Sequence, residues 1–129
     1  MRGVDDMKAK VEHWLDWFGM QEKRDTMCKD LSKGQRQKVM LASAFIHRPK
    51  LLFLDEPFAN LDPSSQIGLK RLIRDIAKNT EITFLISSHD LTHVTEVCNR
   101  IVLLEKGKIL KDTKTSSSTL KELEEYFSN

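Results

Sequence analysis

The chain has 129 residues, of which 40% are hydrophobic and 31% charged, and its formal net charge is +2. This composition excludes a disordered, collagen-like or low-complexity chain. Positive and negative residues are nearly equal in number, so the net charge gives no argument for a nucleic-acid partner. We expect one intracellular domain, or a piece of one, because no apolar run approaches the roughly 20 residues that cross a bilayer and the N-terminus lacks the apolar core of a signal peptide.

The N-terminal third is predicted to be helical. Apolar residues recur at helical spacing over residues 7–18, and Gly19 follows as a termination signal. The charged stretch 21–29 is expected to be a solvated connection. A second helix is predicted over about 33–47, because the residue before Pro49 avoids helical geometry.

The middle of the chain alternates between strand and helix. Residues 51–54 and 82–86 are apolar without alternation, which is typical of strands buried on both faces of a parallel sheet. Between them, Asp62 suits a helix N-cap and Pro63 the first helical position. The buried stripe of that helix is predicted to comprise Leu69, Leu72, Ile73 and Ile76.

The C-terminal third is predicted to begin with a short helix over 91–97. A hairpin follows, in which 101–104 and 109–110 flank a turn at Gly107. This order of strands and helices predicts an α/β fold with helices covering a mainly parallel sheet.

The tail is predicted to be a linker and a last helix. Residues 113–119 are polar, and Thr119 with Glu122 fits a capping box for a short C-terminal helix.

Two adjacent carboxylates, Asp55 and Glu56, end the first predicted strand. The carboxyl ends of parallel strands are where α/β proteins bind ligands, and paired carboxylates are costly to desolvate without a cation or a reacting group. Asp55 could therefore hold Mg²⁺, directly or through water, while Glu56 acts on an attacking water as a general base. The alternative is that both residues only end the strand and cap the next turn.

The start of the second helix reads Ser32-Lys33-Gly34-Gln35. Ser32 and Gln35 have capping-box spacing, and a plain helix cap is one interpretation. The other is an anion site, because a serine hydroxyl and free amides at a helix N-terminus suit a terminal phosphate and Gly34 allows close backbone approach.

His89 follows the second predicted strand and is expected at the same sheet edge as the two carboxylates, where it could contact a phosphate or orient a water. A zinc site with His93 is the competing idea. Asp90 stands where an HExxH motif needs Glu and no third ligand is evident, which disfavours zinc. We expect His93 to be an exposed helix residue.

Taken in order, these segments resemble the ATP-binding-cassette (ABC) ATPase family. Leu31–Gln35 resembles its signature motif, Leu51–Glu56 its Walker B motif, Ala59–Asp62 its D-loop and His89 its switch histidine, and the resemblance runs over about 7–110. The sequence contains no G-x-x-x-x-G-K-[ST] phosphate loop and no segment like the family's Q-loop. The resemblance therefore implies roughly the second half of an ABC domain, as an expression fragment or a truncated reading frame.

For the fold, the resemblance implies an incomplete RecA-like parallel sheet of the P-loop NTPase type, with part of the ABC helical subdomain. Residues 1–50 would be helical subdomain and signature helix, 51–112 RecA-like core, and 113–129 linker and C-terminal helix. The family's P-loop strand lies between the strands that correspond to 82–86 and 101–104. Since exposed strand edges are a swapping hazard, we expect the chain to rearrange, to pair with a second copy or to close the gap.

For the mechanism, the resemblance implies a head-to-tail dimer that sandwiches ATP. Asp55 would hold Mg²⁺ through water, Glu56 would polarise the attacking water, His89 would contact the γ-phosphate and Asp62 would pass information across the dimer. The γ-phosphate held by the opposite subunit would also be contacted by Ser32, Gly34 and Gln35.

The function implied is an ATP-binding and ATP-hydrolysing subunit of an ABC transporter, which is cytoplasmic and bound to the inner face of the membrane through permease subunits. The alternatives are a non-transport ABC ATPase of DNA repair or of the ribosome, and a truncated cassette that acts as a partner-binding module. The short tail slightly favours an exporter. We expect this chain alone to bind nucleotide weakly and to hydrolyse it negligibly.

Overall fold

The computed structural model of the chain describes residues 2–128. The helices are α1 (Arg2–Trp17), α2 (Lys33–Phe45), α3 (Pro63–Asn79), α4 (Leu91–Val97) and α5 (Thr119–Ser128), and the strands are β1 (Leu51–Asp55), β2 (Thr83–Ser87), β3 (Arg100–Glu105) and β4 (Lys108–Lys114). This order confirms the α/β class. The chain forms two compact units, the first comprising residues up to 53 and 58–85, and the second comprising 54–57 and the chain from 86 onward.

An aromatic cluster forms part of the core of the first unit. Phe45 at the end of α2 is fully buried and stacks on Trp14 of α1, with ring centroids 4.9 Å apart. Phe18 and Phe84 lie 6.0 Å and 6.2 Å from the same ring. Beyond α1, Gly19 adopts a φ of 65°, the left-handed geometry that ends helices, so this predicted end is confirmed.

The connection between α1 and α2 is more ordered than expected. It contains two short 3-10 turns, at Gln21–Lys23 and Cys28–Asp30. The Arg36 side chain, from α2, donates hydrogen bonds to the backbone carbonyls of Cys28 and Lys29. The predicted solvated connection is confirmed, since residues 21–29 are exposed apart from the half-buried Thr26, and two of its carbonyl groups also accept hydrogen bonds from the guanidinium group of the neighbouring helix.

Helix α2 ends two residues earlier than predicted, at Phe45. Arg48 has a φ of 49°, and its N–H donates to the carbonyl of Phe45 at 2.9 Å. The chain therefore leaves helical geometry before Pro49 is reached.

Strands β1 and β2 form a two-stranded sheet. At one end the Thr83 N–H donates to the Lys50 carbonyl, and at the other the Glu56 N–H donates to the Ser87 carbonyl, both at 2.8 Å. Both segments advance in the same direction between these bonds, so the strands are parallel, as predicted.

The prediction that both strands are buried on both faces is wrong. Exposed and half-buried residues alternate along each strand. The exposed face carries large apolar side chains, of which Phe53 is the most accessible at 67%, followed by Leu85 at 52% and Leu51 at 47%. One face of this apolar sheet is therefore in contact with solvent.

Strands β3 and β4 form the predicted hairpin, which pairs Arg100 with Lys114 at its open end. The turn residues Lys106 and Gly107 have φ values of 50° and 77°, which matches the turn type that suits twisted two-residue hairpins. Strand β4 extends to Lys114, so it includes the first two residues of the predicted linker.

The sheet is incomplete, as the resemblance implied. Within residues 2–128, β2 is bonded to β1 alone and β3 to β4 alone. The expectation that the chain closes the gap is therefore wrong for the single chain, because over the described residues β2 and β3 pair neither with each other nor with a third strand. Pairing with a second copy stays a prediction.

The capping box predicted at Thr119 and Glu122 is wrong. Thr119 is the first residue of α5 and is 2% exposed, and its hydroxyl accepts a hydrogen bond from the Ser116 N–H at 2.8 Å. The Glu122 carboxylate instead accepts from the Ser118 hydroxyl and pairs with Lys111 on β4. The polar run 116–119 offers several competing caps, and burial of Thr119 selects among them.

Candidate functional site

The ends of β1 and β2 bring Glu56 and His89 together in the second unit. Directly after β1, Glu56 adopts a φ of 46°, a left-handed conformation that is uncommon for a residue with a side chain and that clusters at functional sites. Its N–H donates to the carbonyl of Ser87. The chain turns sharply here, and the Glu56 carboxylate reaches the segment that follows β2.

The Glu56 carboxylate binds His89 through two contacts on one oxygen. Its Oε1 accepts a hydrogen bond from the His89 backbone N–H at 2.9 Å and lies 2.5 Å from the imidazole Nδ1. The His89 side chain is 88% exposed and that of Glu56 is 34% exposed. The pair therefore meets solvent, and Oε2 remains able to accept a hydrogen bond from water.

The hydrogen bond from His89 holds the pKa of Glu56 below its usual value of 4.5, against a smaller opposing effect of desolvation. Glu56 is therefore ionised at neutral pH. An ionised carboxylate held in place by His89 can orient and polarise a water molecule.

Asp55 lies one residue earlier and is exposed at the end of β1. Its Oδ1 accepts a hydrogen bond from the Ser87 hydroxyl at 2.5 Å, which leaves Oδ2 available. Mg²⁺ prefers one or two carboxylates, water and phosphate oxygens. A solvent-facing carboxylate of fixed orientation fits such a site, with Asp55 as the residue that would hold the ion.

Ser32 and Gln35 form the predicted capping box in the first unit. The Ser32 hydroxyl accepts from the Gln35 N–H at 3.1 Å, and the Gln35 side-chain carbonyl accepts from the Ser32 N–H at 3.0 Å. The box leaves the hydroxyl proton of Ser32 and the amide NH₂ of Gln35 as donors. Lys33 and Gly34 begin the helix, where backbone N–H groups have no intrahelical acceptor. The cap and the anion-site interpretations are therefore compatible.

Asp62 caps α3 in the same unit, as predicted. Its Oδ2 accepts from the Ser65 N–H at 3.1 Å and its Oδ1 from the Ser65 hydroxyl at 2.6 Å. The two bonds from Ser65 hold the pKa of Asp62 below its usual value of 3.8.

Two residues were given no role from the sequence. Phe58 is 2% exposed and anchors the segment between β1 and α3, where its carbonyl also accepts from the Gln66 side chain at 3.2 Å. An apolar residue directly after a polar strand end was the available signal for Phe58. Ser87, which orients Asp55, had no signal beyond its place at the end of β2.

The prediction that His93 is exposed is wrong. Its side chain is 16% exposed, and Nε2 lies 3.5 Å from the Asp90 carboxylate. Asp90 also caps α4 by accepting from the His93 N–H. Within residues 2–128, no group of three or more His, Cys, Asp or Glu side chains could hold a metal ion, and His89 is engaged with Glu56.

Comparison with known proteins finds one family match and many relatives. The family model described as "ABC transporter" matches residues 3–59. The uncharacterized ABC transporter ATP-binding protein YhaQ of Bacillus subtilis is 38% identical over 84% of this chain, and the methionine import ATP-binding protein MetN 1 of Staphylococcus aureus is 31% identical over 82%. The chain spans only 37% and 31% of the length of these two relatives.

Solved structures give the same result. CbiO1 from Clostridium perfringens, part of the ABC transporter complex cbiONQ, matches 97% of this chain with a TM-score of 0.83 and 26% identity. A nucleotide-free ATP-binding cassette from an ABC transporter matches 95% with a TM-score of 0.82. Its identity is 23%, so this second match shows the fold alone. The chain spans 49% and 47% of these two structures. None of the helices within residues 2–128 is long and apolar enough to cross a membrane.

Proposed function

We propose that this chain is part of an ABC ATPase domain, as the family match and the relatives support, and that its complete cassette hydrolyses ATP and drives transport across a membrane. The observation that carries the proposal is the contact between Glu56 and His89 at the carboxyl ends of two parallel strands. A carboxylate and an imidazole held together at this edge suit attack of water on a terminal phosphate.

In this mechanism, Glu56 accepts a hydrogen bond from the attacking water through Oε2 and increases its nucleophilicity. The contact with His89 keeps the Glu56 carboxylate ionised and fixes its direction. His89 exposes most of its ring to solvent, so its Nε2 can also donate to a phosphate oxygen when the ring is protonated at both nitrogens. Asp55, whose orientation is set by Ser87, would hold Mg²⁺ through water, and the ion would supply positive charge beside the phosphate oxygens.

The residues of the first unit act on a second nucleotide. The hydroxyl of Ser32, the amide of Gln35 and the backbone N–H of Gly34 are donors at a helix N-terminus, which favours negative charge. We propose that they bind the γ-phosphate of ATP held by a partner cassette, and that Asp62 relays the state of the dimer. ATP binding would then favour the closed dimer, and hydrolysis would release it.

The partners of the complete protein are proposed to be a second nucleotide-binding domain and integral membrane permease subunits. The YhaQ and MetN 1 matches support this assignment, because the first is named an ABC transporter ATP-binding protein and the second a methionine import ATP-binding protein. The cassette would then work at the cytoplasmic face of the membrane.

A chimera tests the proposed function. In the chimera, residues 1–129 replace the segment of the B. subtilis relative that matches this chain. The remaining part of that relative supplies the phosphate loop that this chain lacks. We expect saturable, Mg²⁺-dependent ATP turnover, and a loss of about 10²-fold or more in kcat with Glu56→Gln at similar KM, because the water-polarising oxygen is lost. Glu81→Gln, an exposed glutamate, is the matched control. A folded chimera that binds ATP and keeps its turnover with Glu56→Gln contradicts the proposal.

A further inference from the structure

The start of α2 packs closely against the first turn of α3 at Gly34. A Cβ added to Gly34 would lie 2.6 Å from the Ser65 hydroxyl oxygen and 2.9 Å from the Ser65 Cβ. Both distances are shorter than real Cβ contacts, so the two residues pack against each other only because position 34 has no side chain. At each of the other four glycines, an added Cβ meets nothing within 4 Å. The space at Gly34 is therefore filled by Ser65.

The same Ser65 side chain holds Asp62. Its hydroxyl donates to one carboxylate oxygen at 2.6 Å, while its backbone N–H donates to the other at 3.1 Å. One serine thus contacts the helix start at Gly34 with its Cβ and hydroxyl oxygen and fixes the Asp62 carboxylate with its hydroxyl proton. Asp62 is at the surface, so water would otherwise compete for both of its oxygens.

We propose that Ser65 is a positioning residue that joins the segment 32–35 and Asp62 into one rigid unit. This inference rests on the proposed function, in which residues 32–35 and Asp62 both lie on the side of the cassette that faces a partner. A displacement of Asp62 would then move the phosphate-binding turn with it, because Ser65 lies between them. Gly34 serves this packing in addition to its backbone approach to phosphate.

The packing half of the proposal is tested by a double-mutant cycle on the 129-residue chain. Gly34→Ala, Ser65→Gly and the double variant are unfolded with urea. Gly34→Ala is expected to lower the urea midpoint, although alanine is the better helix former, because its methyl group collides with Ser65. Ser65→Gly removes both colliding atoms, so the double variant should unfold with an equilibrium constant about fivefold or more lower than the two single losses predict.

Gly68→Ala is the matched control, since it is also a helical glycine and has open space around it. This variant should raise the midpoint. Additive effects of Gly34→Ala and Ser65→Gly in the cycle overturn the proposal. If Gly34→Ala fails to fold whereas the double variant folds, this result supports the proposal most strongly.

The hydroxyl half is tested by the titration of Asp62, followed by ¹³C NMR. Ser65→Ala keeps the Cβ against Gly34 but removes the hydroxyl donor, so the Asp62 pKa should rise toward its usual 3.8 while the fold is retained. Ser64→Ala, at the neighbouring position, should leave the titration unchanged. An Asp62 titration that is the same in the wild type and in Ser65→Ala overturns the positioning role. Neither test uses nucleotide, so a failure here leaves the Glu56-dependent turnover of the chimera standing, and the reverse also holds.

Discussion

Two phenylalanines five residues apart provide a direct test of the packing. Phe58 is 2% exposed, whereas Phe53 on the open face of β1 is 67% exposed. Phe58→Ala removes a buried ring, including its contact with the Lys70 ammonium group 5.8 Å from the ring centroid, and should cost about 3–5 kcal/mol. Phe53→Ala removes a ring that already meets water and should change the free energy of unfolding by less than about 0.5 kcal/mol.

Urea unfolding followed by far-ultraviolet circular dichroism measures both changes. The midpoint should fall sharply for Phe58→Ala and barely move for Phe53→Ala, with equal slopes if the denatured states are alike. Because a loss of 3–5 kcal/mol could unfold a small domain, Phe58→Leu is the milder variant, expected to cost roughly 1–2 kcal/mol on the same trend.

Equal losses for Phe53→Ala and Phe58→Ala would refute the account of an uncovered sheet face. That result would mean that the β1 face is buried in solution, for example against a second copy. A concentration-dependent midpoint would then identify the second copy.

Three further results are expected. Ser32→Ala breaks the capping box and should cost about 1 kcal/mol in urea unfolding, whereas Ser43→Ala, on the same helix, should cost little. Glu56 should titrate below 4.5 by ¹³C NMR because of His89. The contact with His89 therefore stabilises the folded state above pH 4.5, and this stabilisation is lost as the pH falls through the folded-state pKa of Glu56. His89→Ala should raise the pKa of Glu56 back toward 4.5. Gly107→Ala should cost about 1–2 kcal/mol at a φ of 77°, and an unchanged midpoint would contradict the turn geometry.

Local chemistry made much of the site predictable. The apolar run 51–54 ending in Asp55 and Glu56 indicated a strand end at a ligand-binding edge, and the spacing of Ser32 and Gln35 indicated a capping box. Each of these inferences needs only neighbouring residues and the geometry of one helix or strand. The approach of His89 to Glu56 was also expected, because parallel neighbouring strands end at the same edge.

Features that depend on distant residues were not predictable. Nothing near Gly34 in the sequence indicates that Ser65, on another helix, fills its open side. Phe53 looks buried by composition, since an apolar run normally implies two covered faces, but the face of β1 that carries it is in contact with solvent. The predicted cap of α5 was wrong because several hydroxyl groups in residues 116–119 compete to cap this helix, and tertiary burial decides which of them does.

The central claim is that Glu56 and His89 are already paired in this chain but act only on a phosphate that another segment holds. ATP turnover measured side by side for the purified chain and for the chimera tests it most directly. We predict no saturable turnover by the chain alone and Glu56-dependent turnover by the chimera. Saturable turnover by the chain alone that Glu56→Gln abolishes would contradict the claim.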